Sequence, residues 1–245
     1  MNVLILGSGG REHALCEVLS HSDLTTKVIV APGNAGMLET LPELQIESVD
    51  LKDHQSILKI AMKYNVGLTI VGPEALLSEG IVDFFQNAEM PIVGPTKEAS
   101  LLESSKSYAK KVMRNAGVPT TSYEEFFDME AALSYIENQT FSKMVVKCDG
   151  LAEGKGVVVC LTKNEARVAV ISLMKESLLG ANVKHIIIEE YLEGIEVSVF
   201  ALCDGEDFTI LGSACDHKRL FDNDMGPNTG GMGVFSPASI MTVED

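Results

Sequence analysis

The stretch "VLILGSGGREHAL", Val3 to Leu15, sets four apolar residues against a glycine turn and then a segment with helical spacing. Val3 to Leu6 reads as a short buried strand and Gly7-Ser8-Gly9-Gly10 as a turn. A helix follows from about Arg11 to His21, with Ala14, Leu15, Val18 and Leu19 on one face. The same grammar recurs downstream. Lys27 to Ala31 is a second strand, closed by Pro32-Gly33-Asn34-Ala35-Gly36. A helix from about His54 to Tyr64 leads into a strand, Leu68 to Val71, and the turn Gly72-Pro73-Glu74. A helix from about Leu77 to Gln86 precedes a short strand at Ile92-Val93. Strands alternating with helices across glycine turns predict an α/β fold, a doubly wound parallel sheet over residues 1 to about 95. Ligands of such sheets sit beyond the carboxyl ends of the strands, which is where "GSGGRE", "PGNAG" and "GPE" all fall.

The dinucleotide fingerprint fails in two places. Gly7-x-Gly9 follows a strand and opens a helix, but the third glycine position holds Glu12. The second strand ends in Ala31-Pro32 instead of the acidic residue that would hold an adenosine ribose. A smaller phosphate on the amides of Gly9, Gly10 and Arg11 fits a helix N-terminus better. A merely structural glycine turn is the plain alternative.

After the helix spelled "SSKSYAKKVMRNAG", which stops at Gly117 before Val118-Pro119, the pattern changes. A helix near Glu130 to Asn138 precedes two valine-rich strands, Lys143 to Cys148 and Gly156 to Leu161. The loop between them, Asp149 to Gly156, is longer than the about 2–5 residues usual in a hairpin. It resembles a P-loop in spelling, but has three residues between Gly150 and Gly154 where a P-loop has four. Gly156 also stands where a hydroxyl is needed, and a strand follows where a helix is needed. A flap whose amides close over an anion and an ordinary long hairpin loop both remain open. Thr162-Lys163-Asn164-Glu165 reads as a capping box for the next helix. Strands are expected at His185 to Leu192, Ile195 to Cys203 and Phe208 to Ala214, so the second half is α+β with antiparallel hairpins. The boundary falls near residues 96 to 120.

Three segments of this half invite chemistry. Lys147 ends an apolar strand, where an ammonium is costly unless it meets an anion. In "IIIEEYLEGIEV", Glu189 and Glu190 end an apolar strand and Glu196 lies inside the next. Such carboxylates pair with lysines, bond a ligand's amino and hydroxyl groups, or are simply solvated strand ends. "DHKRLFDNDMGPNTGGMG", Asp216 to Gly233, lacks apolar periodicity and mixes acid, base, amide and four glycines, which reads as a binding loop. His217 has no metal-ligand spacing around it.

Composition narrows the class. At 245 residues with 46% apolar and 22% charged side chains, the chain has enough material for a packed core and argues against disorder. A net charge of −16 disfavours nucleic acid as partner, since phosphate neutralisation needs a basic face. The five cysteines are single and scattered, the pattern of reduced thiols in a cytoplasmic protein. Val3 to Leu6 is too short for a signal peptide, and no 18-residue apolar stretch suggests a membrane span.

Placed in order, "VLILGSGGREHAL", "APGNAG", "IVGPE", "SKSYAK", "VVKCDGLAEGKGV", "EEYLEGIEVSVF" and "DHKRLFDNDMGPNTGGMG" resemble the phosphoribosylamine–glycine ligase family of ATP-grasp enzymes in purine synthesis. The resemblance runs across essentially the whole chain. It implies a Rossmann-like substrate domain over residues 1–105 and an ATP-grasp domain over 106–245. The latter divides into a flap subdomain at about 120–192 and the start of a second half at 193–245. The glycine hairpin becomes the flap that closes over ATP. By the same resemblance, Lys106, Lys147, Gly150, Gly154, Lys155 and Gly156 serve the phosphates. Glu189, Glu190 and Leu192 lie along the adenine, and Glu196 takes the ribose hydroxyls. Gly9, Gly10, Arg11 and Glu74 receive phosphoribosylamine. Asp216, Lys218, Asn228, Thr229, Gly230 and Gly231 hold glycine and the reacting centre. The cofactors implied are ATP and magnesium or manganese, with metal ligands expected beyond Asp245, because the family continues well past that residue. The missing carboxyl half as a separate chain is one partner to consider. A nucleotide-binding fragment without turnover and an ATP-grasp ligase for another carboxylate are the rival readings.

Overall fold

A computed structural model describes residues 1–150, 156–175, 183–223 and 225–241. The chain forms two compact units, Met1–Val112 and Met113–Asp245. The first carries β1 (Asn2–Gly7), α1 (Gly10–Ser20), β2 (Lys27–Pro32), α2 (Ala35–Thr40), β3 (Gln45–Ile46) and α3 (His54–Lys63). It continues through β4 (Val66–Val71), α4 (Glu74–Glu79), α5 (Ile81–Asn87), β5 (Ile92–Val93) and α6 (Leu101–Ser104). The helix α7 (Lys106–Asn115) runs across the boundary. The five strands are parallel, in the order β3-β2-β1-β4-β5.

The sheet is doubly wound because β1 is apolar on both faces. Leu4 and Leu6 pack into a cluster with Ile57, Ala61, Ile81 and Phe85 from α3 and α5. Val3 and Ile5 pack on the other side with Cys16 of α1 and Met37 of α2. Leu4, Ile5 and Leu6 are wholly buried, and full burial of each such side chain contributes about 1.5–3 kcal/mol. The expected helix from Leu77 to Gln86 is instead two helices. Gly80, at φ +92°, ends α4 and starts α5, and that left-handed backbone cannot sit inside an α-helix.

In the second unit, β6 (Tyr123–Phe126), α8 (Met129–Asn138), β7 (Met144–Cys148), β8 (Val157–Cys160), α9 (Lys163–Met174) and β9 (Ile186–Glu190) form one layer pair. The sheet order is β6-β9-β7-β8, all antiparallel. Met144, Val146, Ile186 and Ile188 bury against Ala132 and Ile136 of α8 and Ala166, Val170 and Leu173 of α9. Thr162 caps α9 as expected, its hydroxyl accepting from the Glu165 N–H at 3.2 Å. Glu165 reaches back one residue further than a capping box requires, to the Leu161 N–H at 2.9 Å.

A three-stranded antiparallel sheet follows, β10 (Ser198–Cys203), β11 (Phe208–Phe221) and β12 (Met225–Phe235). The expectation that Asp216 to Gly233 is a loop is corrected here: it is the distal end of a long hairpin. Its register shifts between His217 and Arg219 and again before Phe221. Gly226 and Gly231 hold positive φ, so the alternation that marks a strand is broken. Among the described residues, Phe200, Leu202, Phe208, Ile210, Leu211, Phe221, Met232 and Val234 of this sheet are exposed.

Candidate functional site

Three places carry the residues singled out from the sequence. In the first unit they gather at the carboxyl ends of β1 and β4, where the strand order reverses. The Gly33 N–H donates to the Gly7 carbonyl at 3.1 Å, and the Gly72 N–H to the Leu6 carbonyl at 3.0 Å, tying all three turns to one rim. Arg11 lies on the rim of α1 and its Nη1 donates to Glu74 Oε1 at 2.9 Å. That bond and the attached charge hold the Glu74 carboxyl below its ordinary pKa, against the opposing effect of burial. Gly10 opens α1 with free space where a Cβ would stand. Gly9 behaves differently: its N–H donates to Glu12 Oε2 at 2.6 Å, so of the three amides expected to meet a phosphate this one is engaged by the chain itself.

Sequence reasoning missed two residues here. Asn34 caps α2 by accepting from the Met37 N–H at 3.2 Å and donates to the Ser8 carbonyl at 2.7 Å, coupling two glycine turns. Glu12 is buried beneath them. An asparagine immediately before a helix is a readable capping signal; the Glu12 contact with Gly72, 60 residues away in sequence, has none. A cavity of about 550 Å³ lies at the amino-terminal ends of β1 and β2, lined by Asn2, Thr26, Lys27, Thr40 and Glu43 among others. None of the expected site residues lines it.

In the second unit, the face of the four-stranded sheet turned away from α8 and α9 is mixed: Val145, Val157, Val159 and the buried Ile187 share it with Lys147 and Glu189. Lys147 on β7 and Glu189 on β9 stand diagonally across the pair, because Lys147 is registered with Ile187 and Val145 with Glu189. Lys147 Nζ lies 3.0 Å from Glu189 Oε2, and the Thr121 hydroxyl donates to the same oxygen at 2.9 Å. The Glu189 side chain is only 4% exposed and that of Lys147 26%, so this is a largely desolvated ion pair and not a solvated strand end. Glu190 receives the Ser122 N–H at 3.3 Å and Leu192, past the end of β9, is exposed. Lys106 opens α7.

The glycine hairpin is anchored at its base. Cys148 N–H donates to the Gly156 carbonyl at 2.8 Å and Asp149 N–H to the His185 carbonyl at 3.0 Å. Gly150 holds φ +113°, with open space around it. Gly154 and Lys155 lie outside the described residues. His185, also missed from the sequence, sits between two carboxylates. Its Nδ1 is 3.0 Å from Asp149 Oδ2 and its Nε2 is 3.3 Å from Glu125 Oε2, the latter without hydrogen-bond alignment. Its ring stacks on Phe127 at 4.1 Å.

Along β11, Lys218 is held between Glu196, to which it donates, and Asp216 Oδ1 at 3.7 Å. Burial lowers the Lys218 pKa, but the bond to Glu196 and the charges of Glu196 and Asp216 outweigh it and the net direction is upward. The Thr229 hydroxyl donates to the Lys218 carbonyl at 2.9 Å and accepts from the Gly231 N–H at 3.1 Å. Asn228 is registered opposite Arg219, and Gly230 has open space around its Cα. Thus Glu196, Asp216, Lys218 and Thr229 form one cluster. No group of three or more His, Cys, Asp or Glu among the described residues is placed to hold a metal ion. No helix among them is long and apolar enough to cross a membrane.

A doubly wound parallel sheet followed by an antiparallel sheet backed by two helices, with a buried lysine–glutamate pair beside a glycine hairpin, places the chain in the ATP-grasp class. Residues 1–103 match "Phosphoribosylglycinamide synthetase, N domain", and residues 104–245 match "Phosphoribosylglycinamide synthetase, ATP-grasp (A) domain". The chain belongs to the phosphoribosylglycinamide synthetase family. It is 45% identical over 244 residues to the phosphoribosylamine–glycine ligase of Yersinia pestis, covering 99% of this chain and 56% of that protein. It is 46% identical over 237 residues to that of Halalkalibacterium halodurans, covering 97% of this chain and 54% of that one. The crystal structure of the Thermotoga maritima phosphoribosylamine–glycine ligase superimposes with a TM-score of 0.79 at 33% identity, over 98% of this chain and 56% of that one. A biotin carboxylase from Campylobacter jejuni shares the fold, with a TM-score of 0.71 at 18% identity, over 89% of this chain and 51% of that one. The chain therefore spans a little over half the length of these relatives. The family resemblance and the α/β, ATP-grasp fold class expected from the sequence both hold.

Proposed function

We propose that the chain contributes the amino-terminal portion of a cytoplasmic ATP-dependent ligase that joins glycine to 5-phosphoribosylamine, forming glycinamide ribonucleotide, ADP and phosphate for purine biosynthesis. The observation that carries this reading is the largely desolvated Lys147–Glu189 pair, next to a glycine hairpin anchored by Cys148 and Gly156. Residues 1–105 are taken as the substrate domain and 106–245 as the ATP-grasp domain. Gly10, Arg11 and Glu74 bind phosphoribosylamine, with Gly9 shaping the turn. Lys106, Lys147 and the amides around Gly150 and Gly156 meet the ATP phosphates. Glu189 to Leu192 borders the adenine, and Glu196 accepts from the ribose hydroxyls. Asp216, Lys218, Asn228, Thr229, Gly230 and Gly231 position glycine.

In the first step a glycine carboxylate oxygen attacks the γ-phosphorus, the bond to the β-phosphate oxygen breaks, and ADP leaves. The phosphoribosylamine nitrogen then attacks the acyl carbon of glycyl phosphate, loses a proton and expels phosphate. The residues here act by positioning and by opposing charge, which is the main lever in phosphoryl transfer. Magnesium or manganese, when bound, would neutralise phosphate charge; no group of three or more His, Cys, Asp or Glu among the described residues is placed to hold it. Glycine labelled with ¹⁸O in its carboxylate tests the scheme in the chain joined to the carboxyl-terminal part of a relative. One labelled oxygen should appear in the released phosphate; unlabelled phosphate would reject the carboxylate attack.

A further inference from the structure

Glu12 has no part in the reaction just outlined, yet it occupies the centre of the substrate turn. The residue is 4% exposed. One oxygen, Oε2, accepts from Gly9 N–H at 2.6 Å, and the other, Oε1, has no hydrogen-bond partner among the described residues. The carboxyl group is wedged between the ends of β1 and β4. A Cβ on Gly7 would come within 2.7 Å of Glu12 Cγ, and one on Gly72 would overlap Oε1. The bond to Gly9 is that of a capping box, with Glu12 at the third helical position. The second oxygen, however, is buried without a donor among the described residues, which is costly, and its place at a strand-order reversal points to a role in the crevice.

The position is informative. In a dinucleotide-binding turn the third glycine brings helix and strand close, and the turn lets a pyrophosphate approach the backbone. Here the third position of Gly7-x-Gly9-x-x-Glu12 supplies an internal anion that uses the Gly9 amide and sets a second oxygen against Gly72. The next two amides of α1, at Gly10 and Arg11, have no intrahelical acceptor by their place in the first turn. Gly10 has open space at its Cα, and the Arg11 guanidinium is already turned to the rim by Glu74.

We propose that Glu12 is a positioning and specificity residue: by holding the Gly9 amide and filling the crevice at Gly72, it bars a diphosphate and directs a single phosphate monoester to the amides of Gly10 and Arg11. This deepens the reading of the turn as the phosphoribosyl site and rests on it. A second phosphate group would lie against the Glu12 carboxylate, where like charges repel in a poorly solvated crevice.

The test is amide NMR of the chain joined to the carboxyl-terminal part of a relative, and of its Glu12→Gln and Glu12→Ala variants, titrated with ribose 5-phosphate and with ADP-ribose. In the parent, ribose 5-phosphate should shift the Gly10 and Arg11 amides while the Gly9 amide stays protected from exchange. ADP-ribose, read at the same amides, should bind about tenfold or more weakly. Glu12→Ala should expose the Gly9 amide and narrow that preference by about tenfold. Glu12→Gln keeps an oxygen for Gly9 and loses the charge, so protection should survive while the preference narrows; it carries the comparison if the alanine variant unfolds. A merely structural role would weaken both ligands equally, and that result overturns the proposal. Loss of Gly9 protection in the parent on adding ribose 5-phosphate overturns it too, leaving the phosphoribosyl reading intact. No response of any turn amide to ribose 5-phosphate overturns both.

Discussion

Replacing Lys147 by methionine keeps the aliphatic stem and deletes the ammonium that faces Glu189. Glu189 then loses one of its partners, the Thr121 hydroxyl being among those that remain, in a position where its side chain is 4% exposed. Loss of a hydrogen bond to a charged group costs about 1.5–3 kcal/mol, and stranding one member of a fully buried pair about 3–5 kcal/mol. Lys147 is 26% exposed, so water replaces part of what is lost. The expected destabilisation is about 2–3 kcal/mol. For a chain of this size, that is a fall in Tm of about 5–10 °C. Calorimetric melting of parent, Lys147→Met and Lys147→Met/Glu189→Gln measures it. The double variant should regain most of the loss, because removing both charges of a buried pair is close to neutral. A single variant within about 0.5 kcal/mol of the parent, or a double variant no more stable than the single, would refute the reasoning. If Lys147 also meets ATP phosphates, nucleotide affinity of the single variant falls roughly 10- to 100-fold by the same bond energy.

Glu74 should titrate below its ordinary value because Arg11 bonds its charged form, and Arg11→Ala should return it towards that value by carboxyl NMR. As a depressed carboxylate, its contribution to stability is present above the unfolded glutamate pKa and lost as pH falls through the lowered one; an unchanged titration in Arg11→Ala would count against the pair. Burial pushes the thiols of Cys16 and Cys160 up to about 11, whereas Cys203 is exposed. Brief iodoacetamide treatment at pH 8 should therefore label Cys203 first, and mass spectrometry showing Cys16 or Cys160 labelled equally fast would contradict the packing. The exposed Phe200, Phe208, Ile210 and Val234 on β10–β12 should make the isolated chain self-associate. Sedimentation should show oligomers that Phe208→Glu/Ile210→Lys shifts towards monomer; a monodisperse monomer in the parent would say otherwise.

What the sequence disclosed and what it hid divide along physical lines. Val3 to Leu6 and the Thr162 cap were legible because each rests on a local signal, an apolar run and a hydroxyl before a helix. The helix after β1 was legible in place but not in orientation: Ala14 and Val18 of its expected apolar face are exposed, and Glu12 and Cys16 are the residues that turn inward. The β11–β12 hairpin was not, since its glycines and shifted register erase the two-residue alternation and its strands are defined by cross-chain bonds. Gly80 was overlooked inside an otherwise helical stretch, although its left-handed backbone is what separates α4 from α5. In the site, Lys147 and Glu189 could each be suspected from strand position. Their diagonal contact depends on the registration of β7 against β9, 42 residues apart. Glu12 and His185 were hidden for the same reason: their contacts with Gly72 and with Glu125 come from distant parts of the chain.

The most direct test of the central claim is product formation. The 245-residue chain, alone and joined to the carboxyl-terminal part of a relative, is supplied with ATP, glycine and phosphoribosylamine, and glycinamide ribonucleotide is measured against ADP. The joined protein should form the two in equal amounts, with the chain alone forming neither, and Lys218→Ala in the joined protein should slow product formation by about 100-fold or more, the usual size of a lost positioning charge. A joined, folded protein that makes no glycinamide ribonucleotide, or makes it equally well with Lys218 replaced, would contradict the account.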